Sequence, residues 1–315
     1  MARISGAQAT VSVRRSSSPT SRRPRPWLHI PAVAYLVLLT QVPFLYAIWL
    51  SLHSWNLLEP YLGKPFVGLH NFAFELFSDP TFWPALGHTA ELVVGALAAA
   101  LIAGTLLALL LDRPIPGRGI LRLVALIPFL VTPSVNALIW KNLILSPSFG
   151  VVDWFLGTVL HLPPVAWLAN LPLFSVVMMT AWQWTPFFML VVLAGLQTVS
   201  DEIVEAGKVD GARPTQMFFR VVLPQLGKYY EVAILLGTIF IFQTFGKIFI
   251  ATSGGPGIAT TTLPYYTYQV AFQDWEVGQA AALGIFGVAL AIVVARLMVQ
   301  LFASQGEGET ADALP

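Results

Sequence analysis

A small set of polar and aromatic side chains lies inside long apolar stretches of this chain, spaced so that they share helical faces. Gln243 and Lys247 are four residues apart. Thr180, Gln183, Trp184 and Phe187 follow an i, i+3, i+4, i+7 pattern, and Asn136 and Trp140 are four apart with Lys141 beside them. Polar groups inside a membrane are expensive and usually face the protein interior or a water path. Amides that donate and accept, placed next to flat aromatic faces, suit a neutral polyhydroxylated solute: hydroxyls bond the amides and C–H faces stack on the rings. Taken singly, each residue also fits an interhelical hydrogen bond or, for the lysines, an ammonium reaching the surface.

Catalytic chemistry is absent from the pattern. The five histidines (His29, His53, His70, His88 and His161) fall at the ends of apolar runs or between them, with no H-E-x-x-H and no ligand-like pairing. No G-x-x-x-x-G-K-[ST] occurs, so the chain is not expected to hydrolyse ATP, to act as an enzyme, or to hold a metal or cofactor. With no cysteine there is no thiolate nucleophile and no disulfide.

The elements that must position these residues are membrane helices. Of 315 residues 56% are hydrophobic and 10% charged, with a mean hydropathy of +0.72, whereas soluble domains carry about 25% charged residues. Six stretches approach the roughly 20 apolar residues a span needs: 30–52, 89–111, 123–145, 173–199, 230–251 and 280–302. The first follows a tail, 1–26, rich in Ser, Pro and Arg. It is too long for a signal-peptide core and has no small-residue cleavage site after it, so it reads as a span.

Lys and Arg placement orients the spans. Arg3, Arg14, Arg15, Arg22, Arg23 and Arg25 precede the first; Arg113, Arg118 and Arg122 lie between the second and third. Lys208, Arg213, Arg220 and Lys228 lie between the fourth and fifth, and Arg296 is near the last exit. Lys64 alone falls on the opposite side. The expected fold is an all-α membrane protein with six transmembrane helices, both termini cytoplasmic and a cytoplasmic loop at 200–226. Beside a span the basic tail is a topological signal, so no nucleic-acid partner is expected. The domains expected are a basic tail 1–26, a transmembrane domain 27–305 and an acidic tail 306–315.

Between the fourth and fifth spans the chain reads E-A-G-K-V-D-G-A-R-P-T-Q-M-F-F-R-V-V-L-P over 205–224. Ser200 can cap a helix opened by Asp201 and Glu202, whose carboxylates suit its positive end. Ile203, Ala206 and Gly207 share a face, and Gly211 suits the left-handed position that ends a helix. A second short helix over about 215–223 would return Phe218, Phe219, Val221 and Val222 to the bilayer, with Pro224 interrupting before the fifth span.

Glu205-Ala206-Gly207, then Gly211, then Val221-x-Leu223-Pro224 resembles the signature (EAA) loop of permease subunits in binding-protein-dependent ABC importers; Gly207 stands where that family usually has alanine. The resemblance implies that the loop is a coupling helix docking on a separate ATP-hydrolysing subunit. Glu205, Ala206, Gly207, Asp210, Gly211, Ala212, Leu223 and Pro224 would then be the coupling residues. The run Phe66-Val67-Gly68-Leu69-His70-Asn71-Phe72 is similar to the first outer loop of sugar permeases in this family. Gly254-Gly255-Pro256, a turn after the fifth span, resembles their outer closure against the binding protein.

The resemblance covers about 28–302. It implies one permease of a carbohydrate importer in a prokaryotic cytoplasmic membrane, maltose-permease-like and working by alternating access. Its partners would be a second homologous permease, two ATP-binding subunits that hold ATP and Mg, an external solute-binding protein and the lipid bilayer. Pro163-Pro164, Trp167-Leu168 and Ala181-Trp182-Gln183-Trp184-Thr185-Pro186-Phe187 look most like permeases for polyols such as mannitol or sorbitol, with disaccharide and glycerol-phosphate permeases as near relatives. An ion-coupled secondary transporter is the rival reading; it would want a buried carboxylate, and Glu91 is the candidate for it, near the end of a span. An intramembrane hydrolase lacks any acid–base constellation.

Overall fold

The computed structural model describes residues 30–311, without the side chains of residue 201 and of 303–311. The basic tail lies outside the described residues, as do 312–315 of the acidic tail. Among the described residues the structure is helical, with isolated backbone bridges and no strand. The chain divides into two units, Met1–Leu45 and Tyr46–Pro315. The described part of the first, 30–45, is one run of exposed, mostly apolar residues within a helix, α1 (Ile30–Ser51). Exposed apolar side chains of this density belong against lipid or other helices.

In the second unit α2 (His70–Phe77) is followed by α3 (Phe82–Asp112), α4 (Arg118–Leu130), α5 (Pro133–Ile139), α6 (Val151–Thr158), α7 (Trp167–Asn170) and α8 (Pro172–Leu196). After it come α9 (Asp201–Val209), α10 (Pro214–Met217), α11 (Leu223–Gln225), α12 (Gly227–Phe242), α13 (Gly246–Ala251), α14 (Leu263–Phe272) and α15 (Val277–Ala311).

The most extensive packing is between α3 and α8. Ala96, Ala100, Gly104 and Ala108 recur every four residues along α3, and all are buried. Small residues at this spacing let two backbones approach closely in a membrane. A Cβ added at Gly104 would stand 2.7 Å from Phe188 Cβ and 2.8 Å from the Met189 backbone nitrogen.

Of the expected spans, Ile30–Ser51, Phe82–Asp112, Pro172–Leu196 and Val277–Phe302 are single helices long and apolar enough to cross a membrane. The third is different: α4 and the stretch Pro133–Ile144 meet at a bend of 101°. Val131 and Thr132 are extended there, because a proline at 133 disfavours helical geometry in the residue before it. Thr132 then caps α5 by accepting from the Val135 amide, and residues Trp140–Ile144 continue as a π-helical turn. The expected fifth span is also broken. Its main helix, α12, has 16 residues, short of the roughly 20 that cross a bilayer, and Gln243–Phe245 separates it from α13. Among the described residues four helices are therefore long and apolar enough to cross a membrane, or five segments if the bent pair counts as one; six were expected.

Candidate functional site

Both breaks fall at the same place in three dimensions. Phe129, Val131 and Pro133 from the α4–α5 bend, Gln183 and Trp184 from α8, and Phe240 with Gln243–Lys247 from the α12–α13 break line a cavity of about 390 Å³. The Gln183 amide donates to the Val131 carbonyl, satisfying an acceptor that the bend removes from the helix ladder. Trp184 stacks on Phe240 with ring centroids 5.6 Å apart and meets Phe129 edge-on at 5.6 Å. The Gln243 amide donates only to Ile239 of its own helix, at 3.3 Å. Lys247 is 2% exposed, and among the described residues its ammonium has neither an ion-pair partner nor a hydrogen-bond acceptor.

Four of the residues expected along a solute path are thus gathered here: Gln183, Trp184, Gln243 and Lys247. Gln243 and Lys247 do not share one helical face as their spacing suggested, because the helix ends between them; both reach the cavity from a break instead. Asn136, Trp140 and Thr180 do not line it. Asn136 is fully buried and donates to the Met179 carbonyl at 3.1 Å, and Thr180 is buried with its hydroxyl unpartnered among the described residues. Trp140 borders a separate apolar groove of about 630 Å³ with Trp182 and Pro186, and Lys141 donates to the Ile250 carbonyl at 3.1 Å. Phe129, Val131, Phe240, Thr244 and Phe245 are cavity residues that helical spacing did not select. The Thr-Pro pair at 132–133 was the one local signal that the third apolar run must bend.

The 200–226 loop forms as two short helical stretches around a glycine turn. Ser200 accepts from the Glu202 amide at 3.2 Å and opens α9. Gly211 has φ +76°, a left-handed conformation that glycine adopts without steric cost. Gly207 faces Met217, whose Cε would lie 2.3 Å from an added Cβ; the methionine methyl occupies the room that a missing side chain leaves. Glu205, Ala206, Asp210, Gly211 and Pro224 are exposed, while Gly207, Ala212 and Leu223 are half-buried. Two expectations are corrected. The second stretch runs without a gap from Pro214 to Gln225 through a π-helical segment at Phe218–Val222, with Pro224 inside it, and the chain turns at Leu226. Phe218 and Val222 face a cleft of about 380 Å³ shared with Leu109, Leu196 and Val204, while Phe219 is exposed. The loop's apolar side is therefore set against the ends of α3 and α8, leaving Glu205, Ala206, Asp210 and Gly211 outward.

After α13, Gly254-Gly255-Pro256 makes the expected tight turn. Gly254 has φ +81°, and an added Cβ would lie 2.5 Å from Tyr265 Cε1. The hydroxyls of Thr260 and Thr261 donate to the carbonyls of Gly255 and Gly254 at 3.1 and 3.3 Å. The first outer segment is pinned by Asn71, which donates to the Ser51 and His53 carbonyls at 2.8 and 3.0 Å. Glu91 is exposed on α3, so it is not the buried carboxylate a coupling ion would want.

A family model described as the inner membrane component of binding-protein-dependent transport systems matches residues 96–305, a stretch that includes the broken helices and the whole loop. The chain belongs to that family. It is 37% identical over 278 residues to the probable ABC transporter permease protein y4oQ of Sinorhizobium fredii, covering 88% of this chain and 89% of that one. It is 32% identical over 277 residues to the trehalose/maltose transport system permease MalF of Thermococcus litoralis, covering 87% and 92%. Its fold matches that of a chain in the crystal structure of a bacterial ABC transporter that imports alginate, with TM-score 0.73 over 89% of this chain and 96% of that one, at 23% identity. This family member is a multi-pass membrane permease.

Proposed function

We propose that this permease is one membrane subunit of an ATP-driven importer for a sugar or sugar alcohol, working by alternating access. The observation that carries the reading is the cavity at the paired helix breaks, where amides and aromatic rings line a space of about 390 Å³. That volume suits a small polyhydroxylated molecule. The sugar-transporting relatives support the solute class, and the motifs around Pro163-Pro164 and Trp182–Phe187 favour a polyol within it. Six spans are retained in this reading, with the broken α12–α13 segment as the fifth and both termini inside.

Force would enter through the 200–226 loop. Its outward Glu205, Ala206, Asp210 and Gly211, with Gly207, Ala212, Leu223 and Pro224 setting its shape, would meet one of two ATP-binding subunits that hold ATP and Mg. A second homologous permease would complete the path, and an external binding protein would deliver solute near Gly254, Gly255 and Pro256. The test is co-purification of the ATP-binding subunit with the tagged permease complex. Gly211→Val imposes a β-branched side chain on φ +76°, a genuine outlier for such residues. It should leave the permease in the membrane yet abolish ATPase recovery and solute-stimulated hydrolysis. Full recovery with full stimulation would remove the loop from the coupling path.

A further inference from the structure

Lys247 is the one charged group that lines the cavity. It reaches the site from the first turn of α13, and Pro133 of the α4–α5 bend borders the same cavity. The side chain is 98% enclosed, yet among the described residues no carboxylate and no hydrogen-bond acceptor meets its ammonium. Two other lysines do find partners: Lys141 reaches the Ile250 carbonyl at 3.1 Å, and Lys64 sits 3.4 Å from the centre of the Trp55 ring. A buried cation without a partner is costly, and ionisable groups inside membrane proteins pair or mark the path of what is carried.

Resting on the importer reading, we propose that the solute bears an anionic group on its polyhydroxylated frame and that Lys247 is its counter-charge. The polar shell is divided accordingly: Gln243 and Thr244 bond hydroxyls, Trp184 and Phe240 supply flat faces, and the ammonium takes the carboxylate or phosphate oxygens. A charge-assisted bond of this kind is about twice as strong as a neutral one. The acidic group would come from a sugar acid or a sugar phosphate, two sources with the same recognition chemistry. The frame remains that of a sugar or sugar alcohol, and the acidic group is what the inference adds to it.

The experiment is calorimetric titration of the purified importer complex, without ATP, with gluconate, glucose 6-phosphate and glucitol. The wild-type complex should bind at least one of the two anions about tenfold more tightly than glucitol, the ratio given by ~1.4 kcal/mol of preference. The tighter of the two identifies a carboxylate or a phosphate source. Lys247→Gln keeps a polar side chain without the charge and should bring the anion and glucitol to within about twofold, less than a third of that preference. Wild-type affinity for glucitol equal to that for both anions, or no binding of any of the three, would overturn the proposal. Retained preference in Lys247→Gln would overturn the role of Lys247. If that variant does not assemble, the wild-type ratio decides alone. Binding is read without hydrolysis, so loss of the ATP-binding subunit from the complex would count against the importer reading and not against the charge.

Discussion

The Tyr266 hydroxyl donates to the Glu75 carboxylate at 2.7 Å, joining α14 to α2 across 191 residues of sequence. Glu75 is 1% exposed and its other oxygen has no partner among the described residues. Burial pushes the Glu75 carboxyl up to about 7, with Asp79 and Asp274 adding to the rise and the Tyr266 hydrogen bond opposing it. Burial, followed by the adjacent carboxylate, raises the Tyr266 hydroxyl as well. This pair ties the first outer segment to the helix that follows the Gly-Gly-Pro turn.

A carboxyl whose value is raised from 4.5 to about 7 on folding holds its proton more tightly in the native state. Its contribution is then fully present below 4.5 and is lost as pH rises through about 7. Thermal midpoints of the purified complex should therefore fall between those limits, and Glu75→Gln, which keeps an acceptor for Tyr266 and cannot ionise, should flatten the slope. An unchanged slope in Glu75→Gln would assign the pH dependence to other groups.

Gln183 and Gln243 both border the cavity, and their hydrogen bonds separate their roles. Gln183 holds the Val131 carbonyl at the α4–α5 bend, whereas Gln243 contacts only its own helix. Gln183→Ala should lower both uptake and complex yield, by the ~1–3 kcal/mol that a buried orphaned acceptor costs. Gln243→Ala should lower uptake with yield and basal ATP hydrolysis unchanged. Transport assays paired with yields from solubilised membranes separate the two; normal uptake in Gln243→Ala would take it out of the solute path.

The approach of α3 and α8 leaves no room at Gly104. The nearest obstacles include the Met189 backbone nitrogen at 2.8 Å and the Thr185 carbonyl at 3.0 Å, which cannot swing aside as a side chain can. Gly104→Ala should destabilise the permease by about 1–3 kcal/mol, the usual range for overpacking. Gly119→Ala, with nothing within 4 Å, should be neutral. Heat-induced loss of monodispersity in detergent compares them, and equal behaviour would mean that the two helices can separate freely.

The proposed topology, with both termini inside, would put residue 116 on the cytoplasmic side and residue 258 on the exterior. The chain has no native cysteine, so Pro116→Cys and Ile258→Cys can be labelled singly with an impermeant thiol reagent. Ile258→Cys should react in intact cells, and Pro116→Cys only once the membrane is opened. The reverse pattern would invert the topology.

The membrane class and the helix–glycine–helix loop were legible in the sequence because both are local. Apolar length decides whether a segment can leave water. The Ser200 cap and the left-handed turn at Gly211 depend on backbone geometry within a few residues. Apolar length does not show where a run is interrupted: Phe129–Pro133 and Phe240–Gly246 read as uninterrupted helix, yet the first is bent by 101° and the second leaves the helix at Gln243–Phe245. Only the tertiary structure decided that these two breaks face each other, and so brought Gln183, Gln243 and Lys247 to one cavity while excluding Asn136, Trp140 and Thr180. Helical spacing can place residues on one face of one helix. Which faces meet, as with Glu75 and Tyr266 or Gly104 and Phe188, is set by packing between segments far apart in the chain, and periodicity carries no record of it.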